Sequence, residues 1–553
     1  MTPARSSGRW PRTSAPPSKA RQRTQIMQMQ MVVMRDGVRL ATDIHMPDGP
    51  GPWPVILERT PYDRQGVSGS EVALDRPDPL TRAELGRIMA RRGYAVVMQD
   101  VRGRYGSEGV FQKYVNEAED GVDTHHWLLA QPWCDGRICT MGLSYGAHTQ
   151  LASAVAGAPG IAAMAIDTGG LMDAWRHSVR YGGAFEQKQV TWAFRHAAKA
   201  LRERGRTADA AMVEGTDIRT ALLQGDWRPG HSPLALAPDY EAMLLRLWAM
   251  GPDDPALNLP ATKAVAHFDR FPDVPVLLVG SWNDPYARNM LDLAQAIGAR
   301  STAPLRQIFG PWLHGRRSTG LVGQADFGDG ATIDRATGRD WVTLRLDWFD
   351  HAMGRGGMPL DHDLFWQMSA GRWPAMGGQW SRRRDGSDAD CALGVDDVTL
   401  RFDPAHPHPT PGGAVTSGGA IMSGGMFDQR RLGTLDHPGS ATVFAAPLAA
   451  DLPLSDGAVT AICEAPGRFD LHAVVVEALP CGAVINITDG IARASGPGAV
   501  TVDLAPTFYR ARRGNRLGLI LAASSFPRFD CAMRHAGDVR VRNATLCLNP
   551  RRG

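Results

Sequence analysis

The order of apolar and polar residues along this chain predicts strands and helices that alternate. Continuous apolar runs such as residues 94–98 are typical of buried parallel strands, and segments with helical periodicity follow them. Repeated units of this kind predict an α/β domain with a parallel sheet. Ahead of them, residues 29–43 alternate on both sides of Asp36-Gly37, which predicts an antiparallel hairpin with an Asp-Gly turn.

The α/β pattern is interrupted once and later ends. Residues 171–250 have helical periodicity without convincing strands, which predicts a helical cap over the strand ends. From about residue 356 onward, short alternating segments separated by Pro/Gly/Ser stretches predict an all-β domain, a sandwich or a jelly roll. The predicted organisation is a basic tail with the composition of a disordered segment (1–26), an α/β catalytic domain (27–170 and 251–355), a helical cap (171–250) and a β jelly-roll domain (356–553).

The first chemical signal lies in residues 137–150. This stretch passes from an apolar segment through Gly142-Leu143-Ser144-Tyr145-Gly146 into an alanine-rich helix, and Gly-x-Ser-x-Gly between a strand and a helix is the nucleophile-elbow pattern. Glycines are expected at the flanking positions because a Cβ there would collide with the neighbouring strand and helix. The alternative is an ordinary strand–helix turn in which Ser144 only caps the helix.

A nucleophilic serine needs a histidine as base and a carboxylate that orients the histidine. In an α/β hydrolase the acid and then the histidine follow the serine, each on a loop after a later strand. The strand predicted at 274–279 runs into Asp284, and the strand predicted at 305–309 runs into His314. Taken singly, Asp284 could cap the next helix and His314 could lie on a surface loop. Their joint order predicts the catalytic triad Ser144–Asp284–His314.

Hydrolysis of an acyl group also needs donors for the oxyanion. The backbone amide of Tyr145, directly after the nucleophile, is the expected first donor. The loop after an early strand should supply the second donor, and Arg59-Thr60-Pro61-Tyr62 occupies that loop. It offers a tyrosine hydroxyl, held by the preceding proline, where a glycine-rich loop would offer a backbone N–H. Simple packing of the Tyr62 ring is the alternative.

Composition and charge narrow the function classes. The chain is 43% hydrophobic and 21% charged, as globular proteins are, and has no apolar run near the roughly 18 residues of a membrane span. Six of its 60 basic residues lie in residues 1–25, which leaves 54 basic residues against 57 acidic ones elsewhere. This balance gives no support for nucleic-acid binding, and we expect no membrane partner.

Cysteine usage points to neither a disulfide framework nor a metal site. The seven cysteines are scattered, odd in number and without a Cys-x-x-Cys pair, so a reducing cytoplasm is the expected location. We expect no metal or other cofactor. A homo-oligomer stays an open alternative to a monomer.

Several motifs occur in one order along the chain: Arg35-Asp-Gly-Val-Arg-Leu40, Arg59-Thr-Pro-Tyr62, Asp100-Val-Arg-Gly-Arg104, Gly106-Ser-Glu-Gly109, Gln131-Pro-Trp133, the elbow, Trp282-x-Asp284, Gly310-Pro-Trp312-x-His314, Thr488-Asp-Gly490 and Ser524-Ser-Phe-Pro-Arg-Phe-Asp530. With this set the chain resembles the cocaine-esterase-like family of serine α/β-hydrolases, which also contains X-prolyl dipeptidyl-peptidases, α-amino-acid ester hydrolases and glutaryl acylases. The resemblance extends from Met31 onward, although Ser525 stands where Asn is expected. It implies an α/β-hydrolase core, a helical cap, a C-terminal jelly roll, and Tyr62 as a hydroxyl donor in the oxyanion hole.

The substrate class is less specified. Relatives that act on α-amino-acid esters bind the substrate ammonium with a carboxylate cluster beside the catalytic acid. Here Asp284 is followed by Pro285-Tyr286-Ala287-Arg288, which contains no acidic residue and argues against that class. An X-prolyl peptidase also needs a carboxylate for the free amino terminus of its substrate, and Glu186 or Asp173 in the predicted cap could serve.

Aromatic residues favour an ester with bulky apolar groups. Trp282 and Trp312 flank the predicted acid and histidine, and Trp175 and Phe185 lie in the predicted cap, which together predict an apolar acyl or alcohol pocket. We therefore predict a serine hydrolase that cleaves a small-molecule ester or amide with hydrophobic groups. An amidase, an acylase or an X-prolyl dipeptidyl-peptidase with the same triad is the alternative. A non-catalytic binding protein is the alternative from another class.

Overall fold

A computed structural model of the chain describes residues 27–357, 360–384, 393–412 and 425–548. The predicted tail 1–26 and Cys391 lie outside these residues. Over the described ranges, no helix combines the length and the apolar character that crossing a membrane requires. The six cysteines in the same ranges are free thiols.

Eight strands between residues 27 and 310 form one mixed sheet. The hairpin predicted at Asp36-Gly37 is present, with Val33 paired to Arg39, and its second strand pairs antiparallel with the fourth strand of the chain. The remaining strands are parallel, and the third lies between the fourth and the fifth. In chain order the strands are Met27–Val33, Arg39–His45, Trp53–Thr60, Ala95–Asp100, Cys134–Leu143, Ile161–Asp167, Val276–Ser281 and Leu305–Gly310.

Helices cover both faces of this sheet because the central strands are apolar on both sides. Val96 and Met98 pack into one apolar cluster with Leu85 and Phe349, whereas Val97 packs into another on the opposite face. The first of these helices begins at a capping box, in which Thr81 and Glu84 each accept a backbone N–H of the other residue. The helices are Arg82–Arg91, Glu117–Leu129, Tyr145–Val155, Ala287–Gly298, Ile333–Thr337 and Trp341–Ala352, with the 3-10 turn Asp329–Ala331.

The sheet continues past the residue at which the sequence pattern changes. Leu364–Ser369 pairs parallel with Leu305–Gly310 through Ile308 and Leu364, so the edge of the eight-stranded part is covered. Three further strands extend or flank this one: Gly377–Ser381, Tyr509–Ala511 and Leu452–Leu454. Backbone hydrogen bonds therefore join the eight-stranded part of the sheet to the β-rich part of the chain.

Most of the residues between the sixth and seventh strands form helices, as the periodicity predicts. A short hairpin of Arg180–Tyr181 and Ala184–Phe185 precedes the longest helix of the region, Lys188–Glu203. The other helices and 3-10 turns are Ala174–His177, Thr207–Glu214, Ile218–Gln224, Pro238–Ala249, Pro255–Asn258 and Ala264–Arg270.

The last third of the chain is β-rich and holds two four-stranded antiparallel sheets. Strand Arg468–Ala478 is buried over nine consecutive residues, because both of its faces are covered. One sheet has the order Leu393–Phe402, Gly537–Leu548, Gly457–Glu464 and Gly498–Asp503, and the other has the order Ser440–Phe444, Arg516–Ala522, Arg468–Ala478 and Val484–Ser495. A short helix, Gln429–Leu432, and the hairpin of Leu321–Val322 with Ala325–Asp326 complete the described elements.

A loop of this β-rich part is bonded directly to the helical region. The Gln187 N–H donates to Arg528 O at 2.7 Å, and the Asp530 N–H donates to Phe185 O at 3.0 Å. The Asp530 carboxylate in turn accepts the Phe185 N–H at 2.8 Å and the Trp248 indole N–H at 3.1 Å. These bonds fix the start of helix Lys188–Glu203, which leads to the site described next.

Candidate active site

Ser144 sits at a strained turn between strand Cys134–Leu143 and helix Tyr145–Val155. Its backbone has φ 59° and ψ −114°, a region that non-glycine residues adopt at a cost of about 1–3 kcal/mol. The turn is held because the Ser144 N–H donates to Asp167 O at 3.1 Å. The Ser144 side chain makes no capping hydrogen bond, so the interpretation as a simple helix cap is wrong.

The two glycines of the elbow, Gly142 and Gly146, differ in the space that a Cβ would have at each position. A Cβ on Gly142 would lie 2.7 to 2.8 Å from the Gly146 backbone, which confirms the expected collision at that position. At Gly146 the expectation is wrong, because the nearest atom to a Cβ would be Arg59 O at 3.7 Å, an ordinary contact. A third glycine, Gly169, lets the next strand end approach the elbow, since its Cβ would lie 2.4 Å from Ser144 O.

Asp284 and His314 form a hydrogen-bonded pair on neighbouring strand-end loops. His314 Nδ1 lies 2.6 Å from Asp284 Oδ2, with the aspartate side chain fully buried and the histidine side chain 20% exposed. An ionised carboxylate only accepts hydrogen bonds, so Nδ1 carries the proton and Nε2 keeps a free lone pair. Asp284 Oδ1 accepts the Tyr286 N–H at 2.8 Å at the entrance of the next helix. Asp284 is not the N-cap of that helix, because the N-cap is Tyr286, so the interpretation as an N-cap is wrong, and the role in a triad stays a prediction.

Two sets of contacts bring this pair close to the elbow. A Cβ on Gly315, the residue after His314, would lie 2.9 Å from Leu143 Cδ2, next to Ser144. The Tyr286 ring lies 5.6 Å from the His314 ring and 5.4 Å from the ring of His148, which belongs to the helix that follows Ser144. Within the described part of the chain, no hydrogen bond joins His314 Nε2 to Ser144 Oγ.

Tyr62 points its hydroxyl at the serine. The Tyr62 phenol oxygen lies 3.4 Å from Ser144 Oγ, a long distance for an O–H···O hydrogen bond. The loop that holds it is tied down on both sides: the Tyr62 N–H donates to Thr60 Oγ1 at 3.1 Å, and Arg104 Nε donates to Pro61 O at 3.2 Å. The His196 ring packs against the Tyr62 ring at 5.6 Å.

Tyr145 is the first residue of helix Tyr145–Val155, and its side-chain hydroxyl and its backbone N–H differ in their hydrogen bonding. Its side-chain hydroxyl donates to Glu117 Oε1 and accepts the Tyr114 N–H, both at 2.9 Å. Burial and the Glu117 charge hold the pKa of Tyr145 well above its usual value, so the phenol stays protonated. Its backbone N–H belongs to the first helical turn and has no hydrogen-bond partner among the described residues.

Three of the four aromatic residues predicted for a substrate pocket lie in the core. Trp312 is fully buried and donates its indole N–H to Ala331 O at 2.9 Å. Trp282 donates to Trp366 O at 2.9 Å, and Phe185 stacks on Trp248 at 5.1 Å. These rings pack in the core because partners for their faces and N–H groups are there, and their part in a substrate pocket stays a prediction.

The fourth aromatic, Trp175, lines a cavity of about 590 Å³ with Met172, Arg176, His177, Arg288 and Asp292. None of Tyr62, Ser144 and His314 lines this cavity. Among the predicted residues, Tyr62 contacts Ser144 and Asp284 is bonded to His314. Trp282 lines a small cavity together with Asp284, whereas Trp175 lines a different one.

The two carboxylates considered for a substrate amino terminus are already engaged. Glu186 is fully buried, forms an ion pair with Lys188, and has its Oε1 3.5 Å from Arg528 Nε. Asp173 accepts the Trp175 N–H at 3.0 Å and so caps helix Ala174–His177.

Sequence reasoning missed two buried lysines next to the site. Lys113 Nζ donates to Gln189 Oε1 at 2.7 Å, and Lys188 Nζ lies 4.8 Å from the centre of the Tyr286 ring. Burial lowers the pKa of both lysines, and the Glu186 charge opposes this for Lys188. A signal was present, since Lys188 and Gln189 fall on the buried face of an otherwise amphipathic helix.

Comparisons with known proteins agree on one group of hydrolases. Residues 36–316 match the family described as X-Pro dipeptidyl-peptidase (S15 family). Cocaine esterase from Rhodococcus sp. (strain MB1 Bresler) is 28% identical over 550 residues, which cover 90% of this chain and 91% of that protein.

Two solved structures share the fold at low identity. An aminopeptidase from a marine sediment Thaumarchaeota archaeon has a TM-score of 0.72 at 18% identity, over 97% of this chain and 99% of that one. A CocE/NonD family hydrolase from Staphylococcus aureus has a TM-score of 0.62 at 15% identity, over 95% of this chain and 93% of that one. The mixed sheet is that of an α/β hydrolase, as the sequence predicts.

Proposed function

Because this chain belongs to the X-Pro dipeptidyl-peptidase (S15) family and is a serine hydrolase, we propose that it cleaves carboxylic esters through an acyl-enzyme on Ser144. In this proposal His314 takes the serine proton and passes it to the leaving alcohol, while Asp284 orients the imidazole. Water then attacks the acyl-enzyme with His314 again as base. The observation that carries the proposal is the 2.6 Å bond from His314 to buried Asp284, beside a serine at φ 59°.

The position of the proton on His314 supports the roles proposed for His314 and Asp284. Asp284 keeps the histidine proton on Nδ1, so the Nε2 lone pair is available to a serine hydroxyl. The missing contact between Nε2 and Ser144 Oγ is compatible with this, because catalytic hydrogen bonds are often long in a free enzyme and shorten when substrate binds.

Two hydrogen-bond donors near Ser144 support a proposal for the oxyanion hole. The Tyr62 hydroxyl is 3.4 Å from the nucleophilic oxygen, and the Tyr145 N–H is free at the start of a helix. The positive end of that helix adds to the stabilisation of negative charge. We propose that these two groups form the oxyanion hole.

Ester cleavage is favoured over cleavage of peptides with a free amino terminus. A peptidase of that kind needs an available carboxylate, but Glu186 is shared by two cations and Asp173 caps a helix. The full-length similarity to cocaine esterase supports the same choice. Amide or X-prolyl peptide cleavage by the same triad is the second candidate, since the family name and the archaeal neighbour are those of peptidases.

The arrangement of the rest of the chain is part of this proposal. We assign 27–170 and 251–355 to the catalytic domain, 171–250 to the cap and 356–553 to a jelly-roll domain. Eight strands in two four-stranded antiparallel sheets support the jelly roll. The bonds between Asp530 and Phe185 support a role of this domain in holding the cap over the site.

A labelling and substrate experiment tests the proposed function. We expect a fluorophosphonate to label the wild-type protein and not Ser144→Ala, because the reagent reacts with an activated serine. We also expect 4-nitrophenyl butyrate to be hydrolysed with a higher kcat/KM than Ala-Pro-4-nitroanilide. Labelling that persists in Ser144→Ala would contradict the assignment of Ser144 as the nucleophile. A higher kcat/KM for the anilide would replace the ester proposal by the peptidase one.

Tyr62→Phe tests the hydroxyl donor. Since removal of one oxyanion-hole donor costs about 10²–10³ in kcat, we expect a loss of that size with little change in KM for a 4-nitrophenyl ester. Tyr94→Phe is the matched control, because its buried hydroxyl donates to Asp350 Oδ1 at 2.8 Å, away from the site. An unchanged kcat in Tyr62→Phe would leave Tyr62 with a packing role only.

A further inference from the structure

Ser144 and His314 follow two strands that are not neighbours in the sheet. Ser144 comes after strand Cys134–Leu143, and His314 lies on the loop of residues 311–320 after strand Leu305–Gly310, which we call the histidine loop. Two further strands lie between these two in the sheet. The spacing of the serine and the histidine therefore depends on contacts between the segments that follow the strands.

Asp167 is the last residue of the strand next to the elbow, and it contacts both segments. Its backbone O accepts the Ser144 N–H at 3.1 Å. Its carboxylate forms a buried ion pair with Nη1 of Arg317, which stands three residues after His314 on the histidine loop. Burial raises the pKa of Asp167, while the nearby charges of Arg317 and His314 oppose that rise. Asp167 thus joins the elbow, through its backbone, to the histidine loop, through its side chain.

Arg317 anchors the histidine loop on a second side as well. Its Nη2 donates to Ser70 O at 2.9 Å, and its guanidinium carbon lies 4.8 Å from the centre of the Trp341 ring. The backbone turns at Gly315, with φ 69°, and a Cβ there would lie 3.2 Å from Ser70 Cβ. The planar guanidinium donates to the Asp167 carboxylate and to the Ser70 carbonyl from one rigid group, which a lysine ammonium could not match in direction.

The burial of this ion pair favours a role in positioning over a role in packing. Arg317 and Asp167 are each 1% exposed, so removal of either charge alone would leave the other one buried without its partner. Two apolar side chains of similar size would often be as stable as a buried ion pair. The contribution of the pair is therefore mainly one of direction, since it holds the histidine loop against the strand end that also fixes Ser144.

We propose that Arg317 is a positioning residue, whose ion pair with Asp167 holds His314 within reach of the Ser144 hydroxyl. The inference rests on the proposed function, because it takes His314 as the base for Ser144. Arg317 itself has no hydrogen bond or ion pair with either reacting side chain among the described residues. Its effect on the reaction therefore passes through the position of the histidine loop.

Arg317→Met tests the proposal, because methionine is long and flexible but donates no hydrogen bond. We expect kcat for 4-nitrophenyl butyrate to fall about 10²-fold with little change in KM, the effect of a misplacement of about 1 Å in a catalytic group. The rate of labelling by the fluorophosphonate should fall by a similar factor, because that reaction uses the same serine and histidine. Arg317→Lys keeps a charge opposite Asp167 and is expected to restore part of both rates.

Arg345→Met is the matched control. The Arg345 guanidinium is also buried, pairs with Glu71 at 2.5 Å, and lies at the same 4.8 Å from the centre of the Trp341 ring. We expect the control to lower the midpoint of thermal unfolding as Arg317→Met does, and to keep wild-type kcat. A kcat in Arg317→Met that is no lower than in the control would overturn the proposal, since Arg317 would then only stabilise the fold.

A double variant decides the question if Arg317→Met alone does not fold. Asp167→Asn combined with Arg317→Met removes both charges, so we expect the unfolding midpoint to recover toward that of the wild type. The Ser144 N–H keeps its acceptor, because that acceptor is a backbone oxygen. We expect kcat to stay about 10²-fold low in this folded variant. Wild-type kcat in the double variant would overturn the proposal.

Failure of the proposed function would look different from failure of this inference. If Ser144 is not the nucleophile, the wild-type protein shows no fluorophosphonate label that is lost in Ser144→Ala, and the role of Arg317 falls with it. If only the inference fails, the wild-type protein is labelled at Ser144, and Arg317→Met is labelled at the same rate.

Discussion

Substitution of Ser144 by alanine is expected to lower kcat for ester hydrolysis by about 10⁶-fold, the scale found when a nucleophilic serine is removed from a triad. The remaining activity would come from Tyr62 and the Tyr145 amide acting on direct attack by water. The fold should persist, because the Ser144 side chain makes no capping hydrogen bond and its turn is held by the Asp167 carbonyl. Steady-state hydrolysis of a 4-nitrophenyl ester measures the loss, and circular dichroism checks the fold.

Ser318→Ala is the matched control for this substitution. Ser318 lies on the loop that follows His314, and its hydroxyl donates to Val72 O at 3.2 Å. It is therefore near the site, but its hydroxyl is engaged with a backbone carbonyl. We expect wild-type kcat in the control. If Ser144→Ala kept near-wild-type activity while remaining folded, another group would have to be the nucleophile, and the assignment of Asp284 and His314 would lose its basis.

Local sequence pattern was enough to select the residues that we propose for the chemistry. The elbow can be identified from consecutive residues. A Cβ at position 142 would collide with the Gly146 backbone, so glycine is needed there, and a strand and a helix stand on either side. Asp284 and His314 each follow an apolar strand by a few residues, and parallel strands bring their carboxyl ends to one edge of a sheet. The sequence therefore predicts Asp284 and His314 as a pair, and their hydrogen bond forms only in the folded chain.

Direction of a side chain beyond a strand end could not be predicted in the same way. Trp282 and Trp312 each stand two residues before Asp284 and His314, yet their indole N–H groups donate to carbonyl partners in the core. The alternation of a strand fixes which face a residue takes only while the strand lasts. In the loop after it, the available hydrogen-bond partners decide, and they come from distant segments.

The lysine pair was hidden for a related reason. The bond from Lys113 to Gln189 joins residues 76 positions apart, and it forms only when the helical region docks on the sheet. The helix pattern places Lys188 on the buried face, but it does not show which segment packs against that face. The four strands that extend the sheet beyond Leu305–Gly310 depend in the same way on pairings between remote segments.

Asp284→Asn is expected to lower kcat by about 10⁴-fold, because the amide would enforce the wrong histidine tautomer. The Tyr286 N–H, which now donates to Asp284 Oδ1, would select the amide oxygen for that side. The amide NH₂ would then face His314 Nδ1, and two donors would meet there. The histidine resolves this by moving its proton to Nε2, which can no longer accept the proton of Ser144.

This substitution also separates the two functions that Asp284 combines, because asparagine can still accept the Tyr286 N–H at the helix entrance. Asp292→Asn is the matched control: Asp292 pairs with His177 Nε2 at 3.0 Å, away from the elbow, and we expect wild-type kcat from it. A loss in Asp284→Asn that is no larger than in this control would leave Asp284 only the role of holding the Tyr286 N–H in the turn before the helix. A loss near 10⁴-fold with unchanged thermal unfolding would assign its effect to the orientation and protonation of His314.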